Sequence, residues 1–277
     1  MSGQIVKHGI NSDGKDFIVG DIHGCLSDFS AMLKAIGFNK KTDRMFSVGD
    51  LIDRGPDSVS CLSLMFDDWF YPIIGNHEQM MIDAVLSPSD LDMCNMADRK
   101  LALWESNGGE WNRDADMSLL TAMATELTTL PYIRIIGDGD LRINLVHAEL
   151  VGISDSNVDE WCESSIPSYQ LNSMIWGRTI ATNLRYANAA EGAPFHSPNL
   201  SLTIVGHTPL DNPIFYAPDN HLFIDTGCVY RHIQTHTLQD RFITCVDITD
   251  KYNINVLSYS PLYDVLHIKK LSEITIG

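Results

Sequence analysis

The sequence predicts an α/β fold built on parallel strands, and three observations carry the prediction. Three apolar runs in the first third of the chain, residues 17–19, 45–48 and 71–74, each end in a turn bearing Asp or Asn. Asp21, Asp50 and Asn76 follow one another at about 25–30 residues, near the length of a βαβ unit. Apolar residues recur at helical spacing between the runs, and beyond Pro131 the chain becomes rich in short strand-like segments.

The first strand runs into Gly20-Asp21-Ile22-His23-Gly24. Leu26, Phe29, Leu33 and Ile36 then mark a helix, and Gly37 suits its C-terminal cap. The second strand runs into Gly49-Asp50-Leu51-Ile52-Asp53-Arg54-Gly55, followed by a helix carrying Val59, Leu62 and Phe66. The third runs into Gly75-Asn76-His77-Glu78; Met80, Met81, Ala84 and Val85 continue as a helix that Pro88 stops. This βαβαβα order makes a parallel sheet with right-handed crossovers. It puts the three turns at the carboxyl ends of neighbouring strands, where open α/β sheets hold their sites. Buried charges are rare unless paired or metal-bound, so Asp, His, Asp, Asn and His at three strand ends read as metal-ligand chemistry.

Residues 89–130 are rich in Ala, Leu, Met, Glu and Asp and read as a mainly helical insertion beside the active face. They carry Trp104 and Trp111, a break at Asn107-Gly108-Gly109, and no metal-ligand pattern. A packing role and a role at the active face both fit. Later strands are expected at 132–136, 142–146, 202–205, 222–224, 241–249 and 254–258, with a long surface loop over 183–199. Residues 260–277 hold no motif and read as a peripheral tail. With no internal repeat, 1–277 reads as a single catalytic domain.

A chain of 277 residues, 44% of them hydrophobic, can bury a sizeable core. The formal net charge of −17 argues against nucleic acid or an anionic membrane as the main partner. An anionic substrate would have to be drawn in by a local positive centre. The start of the chain has no apolar leader, and no run approaches 18 apolar residues, so a cytoplasmic location without a membrane span is expected. The six cysteines, Cys25, Cys61, Cys94, Cys162, Cys228 and Cys245, are scattered without a C-x-x-C pair and read as free thiols.

The three turns, together with Val146-His147-Ala148, Gly206-His207-Thr208 and Asp225-Thr226-Gly227, resemble the sequence blocks of the calcineurin-like metallophosphoesterases. From roughly residue 16 to 229 the chain is similar to the phosphoprotein phosphatase branch, with its GDxHG, GDxxDRG and GNHE blocks, and most like bacterial and phage members. The resemblance implies a four-layer αββα sandwich with two metals at one edge. It implies Asp21 and His23 on the first ion, Asn76, His147 and His207 on the second, and Asp50 on both.

The residues support that assignment chemically. Two divalent ions about 3.5–4 Å apart can share a carboxylate, and Asp50 is the candidate bridge. A mixed oxygen and imidazole set suits Mn²⁺, Fe or Zn²⁺ better than Ca²⁺, and the bacterial resemblance implies Mn²⁺. Such ions lower the pKa of bound water and neutralise phosphoryl oxygens, so direct attack of hydroxide is expected and no nucleophilic Ser or Cys is assigned. His77 is expected to protonate the leaving alkoxide, with Asp53 holding and charging its ring. Arg54 can offer a fork to phosphate, and Arg178, in Trp176-Gly177-Arg178, looks like the second phosphate-binding arginine of the bacterial members. The resemblance also implies Asp225 near the site, in a supporting role in the turn or around the ligands.

The implied activity is a protein phosphatase acting on phosphoserine and phosphothreonine, with phosphotyrosine admitted because an open dinuclear site discriminates weakly on the leaving group. Phosphoproteins or phosphopeptides are the expected partners. Ala148-Glu149 and Gly206 depart from the eukaryotic pattern, so no regulatory subunit is inferred. The alternative is a symmetric diadenosine tetraphosphate hydrolase of the same fold; Asp53 and Glu78 favour the monoesterase. A catalytically silent metal-binding module would lack a ligand, the acid or the arginine, and all are present. His8, His196, His221, His232, His236 and His267 are expected as solvated or hydrogen-bonded surface residues. His232 and His236 could form a metal pair on a helix.

Overall fold

The central strands are buried on both faces, which requires two sheets packed back to back with a further layer outside each. The computed structural model describes residues 4–87, 94–186, 199–233 and 241–276. Its strands are β1 (Ile5–His8), β2 (Asp16–Val19), β3 (Arg44–Ser47), β4 (Phe70–Pro72), β5 (Ile133–Ile136), β6 (Ile143–Leu145) and β7 (Leu202–Val205). They continue as β8 (Ile214–Tyr216), β9 (His221–Phe223), β10 (Ile243–Asp247), β11 (Asn255–Ser260), β12 (Val265–Lys270) and β13 (Thr275–Ile276). One sheet has the order β12-β11-β10-β2-β3-β4 and the other β1-β5-β6-β7-β9-β8-β13. Ile18, Phe46, Ile143, Leu145, Ile204 and Leu222 fill the layer between the sheets. Their strand neighbours Phe17, Val19 and Met45 face the opposite way, as the two-residue period of a strand dictates. Each fully buried side chain of this size stabilises the fold by roughly 1.5–3 kcal/mol.

Helices cover both outer faces. α1 (Leu26–Ala35), α2 (Ser58–Ser63), α3 (Asn76–Val85), α4 (Cys94–Trp104) and α5 (Met117–Leu127) lie on the β2 side. α6 (Asp155–Glu163), α7 (Ser168–Trp176) and α8 (Thr179–Tyr186) lie on the other, where Val158, Trp161, Met174 and Ile180 pack on Ile133, Val205 and Phe223. The result is the expected four-layer αββα sandwich. β2, β3 and β4 are mutually parallel, as are β6, β7 and β9, so their carboxyl ends carry six turns to one edge. No helix among the described residues is long and apolar enough to cross a membrane.

The second half of the chain departs from expectation. Residues 155–186 form three helices; Ser154 and Asn157 box the start of α6, a capping signal the strand-rich reading passed over. β1 and β8 were also unread, being short and only partly buried. Of the loop expected over 183–199, α8 takes the start through Tyr186, and 187–198 lies outside the described residues. Residues 260–277, expected as a tail, supply an edge strand to each sheet: β12 pairs with β11 and β13 with β8.

Candidate dinuclear active site

The six turns are stitched together before any ligand geometry is considered. The N–H groups of Ile22 and His23 both donate to the Asp50 carbonyl, at 3.1 and 2.9 Å, and Gly24 donates to Leu51. Glu78, buried in the first turn of α3, takes three main-chain donors: Oε2 accepts from Asp50 (2.8 Å) and Gly75 (2.9 Å), and Oε1 from Leu51 (2.8 Å). The sequence marks Glu78 only as the last residue of its turn, with no sign of this task. His23, Asp50, Asp53, Arg54 and His207 all have positive φ, between 46° and 76°. Non-glycine residues rarely adopt this region, and such strain gathers at functional sites. A Cβ on Gly75 would lie 2.3 Å from Asp50 Oδ1, so only glycine fits beside that carboxylate.

Two groups of donor atoms meet at Asp50. In the first, His23 Nδ1–H donates to the Ile52 carbonyl at 2.8 Å, which leaves Nε2 with its lone pair. That nitrogen lies 3.6 Å from Asp50 Oδ2 and 4.0 Å from Asp21 Oδ2. In the second, His147 Nδ1–H donates to the Val48 carbonyl at 2.7 Å. Its Nε2 lies 2.9 Å from Asn76 Oδ1, 3.2 Å from His207 Nδ1 and 3.4 Å from Asp50 Oδ1. His207 Nδ1 is 2.8 Å from the same Asn76 oxygen, and its buried Nε2 has no hydrogen-bond partner among the described residues. Asp21 sits under the His207 main chain, accepting from its N–H at 3.0 and 3.2 Å.

The electrostatics of this cluster call for cations. Burial, then the nearby carboxylates Asp225 and Asp50, push Asp21 well above the ordinary range, and burial chiefly lifts Asp225 to about 6. Burial keeps His23, His147 and His207 below the ordinary imidazole value, so they are neutral lone-pair donors at physiological pH. Burial would raise Asp50 as well; histidines lower it only to the extent that they carry a proton, and His77 is the one of the four that is raised. Acceptor atoms of Asn76, His147 and Asp50 converging within 3.4 Å repel one another unless a cation lies between them. The residues therefore fit a divalent ion on each side of Asp50. The groupings His23–Asp50–His77 and Asp50–His147–His207 have the compactness that ligation requires.

His77 opens α3 beside Asn76, and its main-chain N–H donates to Asp50 Oδ1 at 3.1 Å. Its Nδ1–H donates to Asp53 Oδ2 at 2.6 Å, and both residues are fully buried. Burial lowers a histidine, yet Asp50 and Asp53 outweigh it and raise His77. Trp104 and Trp111 also donate to Asp53, which sequence reasoning did not anticipate. Arg54 does not lie open to solvent as a simple phosphate fork would. Its Nη1 and Nη2 donate to His23 Nε2 and His77 Nε2, both at 2.8 Å, so a cation at His23 would compete with Arg54 for one lone pair.

Arg178 comes to the opposite rim and donates to Thr208 Oγ1 at 3.0 Å, one residue from His207. Buried Glu149 holds it there by capping α8, accepting from Thr179 (3.0 Å) and Ile180 (2.9 Å). Asp225 Oδ1 accepts from Gly227 N–H at 2.8 Å, supporting the turn beside Asp21. Of the other histidines, His221 is not a surface residue. His221 is fully buried, accepting from Leu150 N–H and donating to the Asp219 carbonyl. His8 is part-buried and accepts from Arg134. His232 pairs with Asp28 on α1 at 3.1 Å; His236 and His196 lie outside the described residues.

A two-sheet sandwich whose strand ends gather carboxylates, an amide oxygen and neutral imidazoles defines a metal-dependent phosphoesterase. The chain belongs to the calcineurin-like phosphoesterase family, which matches residues 17–211. These hydrolases use a dinuclear divalent metal centre, and this chain gathers two His/Asp groups around Asp50 that could hold metal ions. Serine/threonine-protein phosphatase 1 of Salmonella typhimurium is 31% identical over 220 residues, covering 77% of this chain and 87% of that protein. The symmetrical bis(5'-nucleosyl)-tetraphosphatase of Wigglesworthia glossinidia brevipalpis is 45% identical over 64 residues, 22% of this chain and 24% of that one. A protein serine/threonine phosphatase from Saccharomyces cerevisiae superposes with a TM-score of 0.56 at 13% identity, covering 97% of this chain and 84% of that chain, a likeness of fold.

Proposed function

We propose that this chain is a cytoplasmic phosphoprotein phosphatase that hydrolyses phosphoserine and phosphothreonine monoesters, with phosphotyrosine as a secondary target and Mn²⁺ as the working ion. Residues 1–277 act as one catalytic unit, with 89–130 inserted beside the active face. Asp21, His23 and Asp50 hold the first ion; Asp50, Asn76, His147 and His207 hold the second. The ions supply an activated water and neutralise phosphoryl oxygens. The chain supplies the rest. Arg178, near the second ligand set, binds a phosphoryl oxygen. Arg54 turns from the two imidazoles to share that load. His77, oriented by Asp53, gives a proton from Nε2 to the departing alkoxide.

The observation that carries this reading is the buried Asp53–His77 pair, hydrogen-bonded at 2.6 Å beside Asp50. A serine or threonine alkoxide is a poor leaving group and needs a proton in the transition state, whereas a nucleotide polyphosphate departs readily without one. A positioned acid is therefore most useful to a monoesterase. The Salmonella relative supports the same substrate class. The short, more identical match to a symmetrical tetraphosphatase favours the second reading, cleavage of diadenosine tetraphosphate. Initial rates of the Mn²⁺-loaded protein on a phosphothreonine peptide and on diadenosine tetraphosphate, side by side, separate the two. Phosphate release from the peptide with little dinucleotide cleavage supports the phosphatase; the reverse overturns it.

A further inference from the structure

Asp53 is held from a stretch of chain that no motif marks. Its Oδ2 accepts from His77 Nδ1–H at 2.6 Å, and its Oδ1 accepts from Trp111 Nε1–H at 2.7 Å. Trp104 Nε1–H lies 3.1 and 3.0 Å from the two oxygens. Trp104 ends α4 and is fully buried. Trp111 lies in a short 3₁₀ turn, Glu110–Asp114, and is half-buried. The two rings meet edge to face, with centroids 5.6 Å apart, an arrangement favoured by the ring quadrupoles.

The same bend grips the next residue. Arg54 N–H donates to the Gly108 carbonyl at 3.0 Å, and its Nε to the Asn107 carbonyl at 3.3 Å. Gly108 has φ 106°, and a Cβ there would lie 2.6 Å from Arg54 Cγ. The turn from Trp104 to Trp111 is thus shaped around Asp53 and Arg54.

We infer that Trp104 and Trp111 are positioning residues for the Asp53–His77 pair, fixing the carboxylate so that His77 presents Nε2 to the reacting phosphoryl group. The inference rests on the reading of His77 as the general acid. An indole N–H can only donate, so Asp53 is surrounded by three ring donors and must accept from each. That fixes His77 with its hydrogen on Nδ1 toward Asp53. With both indole donors gone, the carboxylate is free to rotate about its side-chain bonds, and the imidazole loses its fixed direction. Ring packing alone asks less: a phenylalanine fills much of the same space without the N–H.

The test uses Trp104→Phe, Trp111→Phe and the double variant, each Mn²⁺-loaded, in the native and His77→Asn backgrounds. Turnover is read on a phosphoserine peptide and on p-nitrophenyl phosphate, whose leaving group needs little protonation. The double variant should lose roughly 10–100-fold in kcat on the peptide, a fraction of what a general acid contributes, and much less on the aryl ester. KM and bound metal should be unchanged. In the His77→Asn background the same replacements should cause no further loss. Trp111→Phe alone, at the partly exposed ring, should show a smaller loss of the same selectivity, which keeps the test open if the double variant unfolds. Native rates on both substrates, equal losses on both, or full losses repeated in the His77→Asn background would overturn the inference. Equal losses from His77→Asn itself would instead remove the general-acid reading; whether the tryptophan losses persist without His77 would still report whether they act through it.

Discussion

Replacing Glu78 by Gln should loosen the turn that carries Asp50. The side chain is fully buried, and its oxygens take the N–H groups of Asp50, Leu51 and Gly75 at 2.8, 2.8 and 2.9 Å. Gln keeps the length and volume but turns one oxygen into an amide donor. With its oxygen at the Oε2 position it retains Asp50 and Gly75, and its amino group then opposes the Leu51 N–H. One bond to a charged acceptor is lost and one buried donor is left unpaired, together about 3–5 kcal/mol. A smaller term runs the other way. Burial, then Asp50, push Glu78 up to about 7, so a neutral side chain relieves part of that repulsion, roughly 1–2 kcal/mol. The net expectation is a loss of about 2–3 kcal/mol. Because these bonds hold Asp50 at φ 51°, Mn²⁺ affinity should fall about 10–100-fold, as for other supporting contacts around metal ligands. Urea unfolding in chelator reads the first quantity and calorimetric Mn²⁺ titration the second. Glu78→Asp keeps the charge but falls one methylene short of the three donors, and should lose at least as much. If both variants unfold within 0.5 kcal/mol of the native protein, about the scatter of neutral substitutions, and bind Mn²⁺ like it, this side chain does not hold the turn.

Three further outcomes are expected. His77→Asn should keep its metal but slow alkyl phosphate hydrolysis by about 100-fold or more, with a smaller effect on aryl phosphates; equal loss on both would remove the acid role. Asp50→Asn should bind neither ion tightly, because Asp50 faces both ligand groups; metal analysis showing two retained ions would exclude it as the bridge. His221 gives a pH prediction away from the metal ligands. Burial lowers its pKa from 6.5 to about 4, since protonating Nε2 would break its bond from Leu150 N–H. Between those values the unfolded chain binds more protons, so stability is full above about 6.5 and falls as pH drops toward 4. Between pH 7.5 and 5.5 the native protein should lose roughly 1 kcal/mol more than His221→Gln, measured by urea unfolding; parallel curves would contradict it.

What the sequence made legible follows a physical rule. Strands buried on both faces and fixed turn geometries leave strong local patterns, so β2, β3 and β4 with Asp21, Asp50 and Asn76 could be read directly. The turns at His147 and His207 are legible only by resemblance, since a lone histidine after a short strand has no local signature. Contacts assembled from distant segments were not legible. Trp104 and Trp111 lie 51 and 58 residues from Asp53, and two tryptophans in a helical stretch look like core. β12 is largely exposed and shows no alternation, so it passed for a tail. α6 and α7 bury only two residues each, too few to show a clear helical period. Arg54 was read as a fork aimed at phosphate; its place between His23 and His77 depends on the left-handed backbone at Asp53 and Arg54, which residue type alone does not specify.

The most direct test of the account is metal content measured together with turnover. Metal-stripped protein would be titrated with Mn²⁺ while bound ion per chain and phosphate release from a phosphothreonine peptide are followed in the same samples. Two ions per chain, with activity rising only as the second site fills, is the predicted result. Full activity with one ion bound, or activity in chelator with none, would contradict a dinuclear centre bridged by Asp50.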